Sequence, residues 1–83
     1  MAKVTKITMK SVVTEEYVKS IAAEFDVKPM IAANLYRALV AYAEEKGRKL
    51  TFAFLDKIPA DEKIPRIGTT GRWLINQMIL KVK

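Results

Sequence analysis

The chain contains no cysteine and no histidine. The first absence excludes disulfides, thiolate metal sites and cysteine nucleophiles. The second removes the commonest general base and the commonest metal ligand. Glycine and proline are scarce, with three of each, and neither an internal repeat nor a low-complexity tract is present. No apolar run approaches the roughly 20 residues of a membrane span. Residues 1–13 alternate Lys and Thr with apolar residues and lack the hydrophobic block of a signal peptide. The expectation is a soluble, cytoplasmic protein, and a reducing compartment agrees with the missing cysteines.

What is abundant is apolar residues, at 51%, and positive charge, at a formal +6. That charge is unevenly placed. Residues 1–13 carry Lys3, Lys6 and Lys10 and no acid. Residues 14–45 carry six acids (Glu15, Glu16, Glu24, Asp26, Glu44, Glu45) against Lys19, Lys28 and Arg37. Residues 46–83 carry nine bases against Asp56, Asp61 and Glu62. A basic chain with an acidic helical middle has moved its cations onto other surfaces. Such a face binds polyanions, of which nucleic acid is the commonest. At 83 residues the chain is one domain, with residues 1–13 as a basic strand or arm and 14–83 as the folded unit. A chain this short buries only about 60–65% of its unfolded surface, which together with the apolar content points to a homodimer.

Hydrophobic period places the elements. Val4, Ile7 and Met9 are apolar, and Lys6, Thr8 and Lys10 fall on one face by period two, the pattern of a short strand or an ordered arm. Thr14 is an N-cap with Glu15 and Glu16 behind it, and Tyr17, Val18, Ile21, Ala22 and Phe25 form one helical stripe. Pro29 opens a second helix, with Ile31, Leu35, Leu39 and Tyr42 as its stripe and Gly47 just past its end. Leu50, Phe52 and Phe54 alternate with Lys49, Thr51 and Ala53, which reads as a second strand over 49–55. Residues 56–66, with Pro59 and Pro65, read as a loop, and Gly68-Thr-Thr-Gly71 as a turn. Leu74, Ile75, Met78, Ile79 and Val82 favour a helix from about Arg72, although the content is also strand-like. Phe25, Leu35, Leu39, Phe52 and Phe54 are the expected core.

Catalysis finds no support. Ser11 and Ser20 have no histidine partner, and the pairs Glu15–Glu16 and Glu44–Glu45 are solvated helix ends. Gly68-Thr-Thr-Gly71 lacks the Gly-Lys-Ser/Thr ending of a phosphate loop. No enzyme, cofactor, metal or small-molecule substrate is expected. The cations after the second helix carry the functional reading: Lys46, Arg48 and Lys49 cluster, and Lys57, Lys63, Arg66 and Arg72 follow with few neighbouring acids. Lys6 and Lys10, with Thr8, form a further row.

Two family resemblances follow from these residues. Glu16-Tyr-Val-Lys-Ser-Ile-Ala-Ala-Glu-Phe-Asp-Val-Lys-Pro29, a long Ala-rich helix and Gly47-Arg-Lys-Leu-Thr-Phe-Ala-Phe54 resemble the HU/IHF histone-like proteins. Ile64-Pro-Arg-Ile67 and Gly71-Arg-Trp-Leu74 are similar to that family's closing strand and the start of its last helix. The family's Gly-Phe-Gly turn is replaced by Ala53-Phe54-Leu55, and its long basic arm is reduced to residues 56–71. The resemblance implies an α+β fold, with two amphipathic helices on a small antiparallel sheet, a shortened arm and an intertwined dimer. It also implies binding of double-stranded DNA, mainly through phosphates and with low sequence specificity, in a nucleoid-associated or transcription-regulatory role. The contacts would be Arg48, Lys49, Lys57, Lys63, Arg66 and Arg72.

Ile7-Thr8-Met9-Lys10 ahead of two helices also resembles ribbon-helix-helix repressors, in which Lys6, Thr8 and Lys10 would enter the major groove. A winged helix, with residues 56–71 as the wing, is a further alternative. So is a non-catalytic interaction or inhibitor module whose charge steers it to an acidic protein partner.

Overall fold

The structure, a computed structural model, describes residues 7–59 and 61–82. Among the described residues four helices follow one another: α1 (Glu15–Glu24), α2 (Pro29–Glu45), α3 (Phe52–Asp56) and α4 (Thr69–Val82). α1 packs on α2, and α4 closes against the other three.

The first two helices form where their caps demand. The Thr14 hydroxyl accepts the Tyr17 N–H at 3.2 Å, and Glu15 and Glu16 face the positive end of the dipole. α1 ends in a Schellman motif: Val27 N–H reaches the Ala22 carbonyl at 2.8 Å and Asp26 N–H the Ala23 carbonyl at 3.2 Å. Asp26 takes the left-handed position at φ 62°, where glycine is usual. Lys28 is extended ahead of Pro29, as the proline ring requires. α2 ends in the same motif, with Gly47 at φ 67° and Arg48 N–H on the Ala43 carbonyl at 3.0 Å.

The expected α+β architecture with a small antiparallel sheet is overturned, and with it the shortened-arm HU/IHF-like arrangement. Among the described residues there is no strand, and the β pairing is one isolated bridge between Val12 and Thr51. The segment expected as a strand over 49–55 turns into α3 after Thr51, whose hydroxyl accepts the Phe54 N–H at 3.2 Å. Phe52 and Leu55, one helical turn apart, are both buried, so the helical pairing of apolar residues overrides the alternating one. The first amides of α3 are satisfied from outside the helix. Phe52 N–H donates to the Ser11 carbonyl at 3.2 Å and Ala53 N–H to the Met9 carbonyl at 2.7 Å. The N-terminal segment is thereby a lid on a helix start rather than a sheet partner. Its described part is not a ribbon either: residues 8–11 form a turn, with Ser11 N–H on the Thr8 carbonyl at 3.0 Å. The rest of the expected strand, with Lys6, lies outside the described residues.

The C-terminal segment is helical, beginning three residues before the expected Arg72. Val18, Leu39, Phe52, Leu55, Leu74 and Met78 fill the core, each contributing on the order of 2 kcal/mol by leaving water. Tyr17 meets Phe52 edge-on at 5.2 Å between centroids. Two expected core residues are not there. Phe25 is 36% exposed and packs edge-on against Trp73, and Phe54 is only half-buried.

Candidate nucleic-acid interface

The Schellman turn at Gly47 sends Arg48 back beside the last residues of α2, next to Lys46. The end of α3 delivers Lys57 to the same place. These three cations surround a groove of about 320 Å³ lined also by Tyr42, Phe54, Ile58 and Pro59. No carboxylate is among its lining residues. None of Lys46, Arg48 and Lys57 forms an ion pair among the described residues. Lys49 stands exposed beyond Arg48.

Packing defines what the groove can take. The Lys46 ammonium lies 5.4 Å from the Tyr42 ring centroid, and the Tyr42 and Phe54 rings meet at 5.7 Å. Tyr42 is 7% exposed. Its ring face is already occupied, so stacking a base on it is not available. What the groove offers is three cations on an apolar floor, which suits phosphate oxygens.

Two bonds tie Pro59 and Glu62 to the helices beside this groove. The Tyr42 hydroxyl donates to Glu62 Oε2 at 2.9 Å, and Arg72 Nη2 donates to the Pro59 carbonyl at 3.1 Å. The Glu62 acceptor, with burial acting in the same direction, holds the Tyr42 phenol above its ordinary pKa.

The expected contacts therefore separate. Arg48 and Lys57 share the groove, and Lys49 is at its rim. Arg72 is half-buried and holds the loop. Lys63 lines a different, larger cleft of about 780 Å³, together with Asp56, Asp61 and Glu62. Those carboxylates make the larger cleft a poor host for a polyanion. Arg66 faces the first half of α2, and Lys10 is exposed on the N-terminal turn. Lys6 lies outside the described residues. Lys46, which the sequence already clusters with Arg48 and Lys49, lines the groove with Arg48 and Lys57. Arg37, isolated in an acidic stretch, was not among the candidates, and nothing in the sequence marked it.

Among the described residues no group of three potential acidic metal ligands comes together, and no helix is long and apolar enough to cross a membrane. Comparison with protein-family models, curated proteins and solved structures finds no match.

Proposed function

We propose that this chain binds double-stranded DNA through its phosphate backbone, with low sequence specificity. The observation that carries the reading is the carboxylate-free groove of Lys46, Arg48 and Lys57, in a chain of formal charge +6. Cations that form no ion pair among the described residues exchange their counterions for phosphates, which drives association by counterion release. Contacts to phosphates carry no sequence information, so affinity would depend on salt more than on sequence. Chromosome organisation or transcription regulation is the setting such binding fits.

We also propose that a second copy, expected from the short length and high apolar content, packs on the face where Phe25 and Trp73 meet at 4.7 Å. Trp73 and Leu80 stand two turns apart on the outer side of α4, 40% and 64% exposed.

A titration of random-sequence duplex against salt tests the function. Four contacts, Lys46, Arg48, Lys49 and Lys57, correspond to a log–log slope of about −3.6 per protomer. No binding at low salt refutes the proposal and leaves an acidic protein surface as the partner this charge would steer towards.

A further inference from the structure

We propose that one DNA strand lies along α2, held at its far end by a second phosphate subsite made of Arg37, Arg66 and Asn34. The proposal rests on the DNA-binding reading and extends it to residues outside the first groove.

Three hollows line up on the helix. The first, about 300 Å³, is lined by Asn34, Arg37, Ala38 and Arg66. The second, about 250 Å³, shares Ala38 and Arg66 with it and adds Tyr42 and Glu45. The third is the Lys46–Arg48–Lys57 groove, which shares Tyr42 with the second. Asn34, Ala38, Tyr42 and Lys46 are successive positions of one i+4 row, so the hollows fall along one furrow between that row and residues 57–59, 65 and 66. Twelve residues at 1.5 Å make it about 18 Å long. That is about five nucleotides of one strand, measured along a duplex axis. Ala38 and Ala41 keep the middle low, so a sugar-phosphate backbone can approach the helix closely.

The first hollow has the chemistry of an anion site. Two guanidiniums line it with an amide and no carboxylate, and neither Arg37 nor Arg66 forms an ion pair among the described residues. Two like charges facing one hollow repel until an anion sits between them. Guanidinium forks match phosphate oxygens two at a time. Arg66 also occupies an unfavourable backbone position. Ile64-Pro65-Arg66-Ile67 is a turn closed by Ile67 N–H on the Ile64 carbonyl at 3.1 Å, with Arg66 at φ 69°. Proline second and a positive φ third define a type II turn, whose third residue is ordinarily glycine. The long side chain is kept there against the backbone's preference. Glu45, the one carboxylate among the described residues lining the three hollows, and Glu62, bonded to the shared Tyr42, separate the cations into two groups and so set where phosphates fall.

The test uses the full chain, a random-sequence duplex and poly-glutamate. Arg66→Gly alone raises the melting temperature, because glycine relieves the left-handed residue. Loss of binding in this variant is therefore not loss of folding. Arg37→Gln/Arg66→Gly lowers the salt slope by about 1.8 units, two contacts' worth, while Arg37→Lys/Arg66→Lys keeps it. An unchanged slope in the first pair, with binding abolished by Lys46→Gln/Arg48→Gln/Lys57→Gln, overturns the second subsite and leaves the DNA-binding reading intact. Equal affinity for poly-glutamate at matched salt, with the same loss in the variants, assigns the furrow to an acidic protein and overturns the strand. Failure of the unaltered chain to bind duplex at low salt overturns both.

Discussion

Gly71 should not tolerate a methyl group, although it stands inside a helix. In an ordinary helix interior, Gly→Ala stabilises by about 0.5–1 kcal/mol. Here a Cβ would lie 2.8 Å from Ile67 Cγ2 and 3.2 Å from Leu35 Cδ1. The leucine methyl is the end of a flexible chain and can give way. The Ile67 methyl sits on a branched Cβ whose rotamers are restricted, in the last residue of the 64–67 turn, so it gives way only at a cost. Overpacking of this kind costs about 1–3 kcal/mol. Gly71 lies in the first turn of α4, where the propensity gain is small, so the expected net loss for Gly71→Ala is about 1–2 kcal/mol. In a domain of this size that lowers Tm by about 4–16 °C. A double-mutant cycle with Ile67→Ala isolates the contact. Removing the methyl should return most of the loss, giving a coupling of about 1 kcal/mol or more in favour of the double variant. Thermal and urea melts followed by far-UV circular dichroism measure all four proteins. Gly71→Ala more stable than the parent, or strictly additive single effects, would refute the close approach of α2, α4 and the 64–67 turn.

Four further outcomes are expected. Asp26→Gly should stabilise the chain by about 1 kcal/mol in urea, since it relieves a left-handed aspartate at φ 62°; a loss would mean the Schellman turn is not formed. Glu45→Gln should tighten duplex binding about threefold at low salt and have no effect at high salt, a contrast that an effect persisting in high salt would contradict. Tyr42 and Tyr17 both have phenols raised above 10.0, the first chiefly by its bond to Glu62 and the second chiefly by burial. A group whose folded pKa is raised keeps its contribution below about pH 10 and loses it as pH rises through the folded value, so stability declines there and Tyr42→Phe makes the decline shallower. Superimposable alkaline profiles would count against the Tyr42–Glu62 bond. Trp73 is the single tryptophan, so its emission should shift to the blue as protein concentration rises, and an emission maximum independent of concentration excludes it from a dimer contact.

Local chemistry made half of this fold readable. Thr14, Pro29 and Gly47 act on their own backbone neighbours, so their signals survive any tertiary arrangement, and α1 and α2 lie where those residues place them. The C-terminal spacing of Leu74, Ile75, Met78 and Ile79 likewise produced the buried face of α4. The 49–55 segment misled because Leu50, Phe52 and Phe54 alternate while Phe52 and Leu55 are also one helical turn apart. Two periods coexist in seven residues, and choosing between them requires knowing whether a partner strand is available. Among the described residues none is: Met9 and Ser11 offer their carbonyls to the first amides of α3. Gly71 misled for a related reason, since its sequence context resembles a turn while its function in the fold is a close contact with Ile67 and Leu35.

The candidate interface divides in the same way. Composition alone established the excess of cations after the second helix, the missing thiol and imidazole chemistry, and the cluster at 46–49. It could not sort those cations, because charge in a sequence carries no direction. Folding turned Arg72 inward to hold Pro59 and set Lys63 among Asp56, Asp61 and Glu62. It gathered Lys46, Arg48 and Lys57 around one groove, and brought Arg37 from an acidic helix to face Arg66 from a distant turn. Caps and periods act over one or two turns of backbone and are written locally. Which charges share a surface depends on contacts between segments about ten to thirty residues apart, and these exist only once the helices have packed.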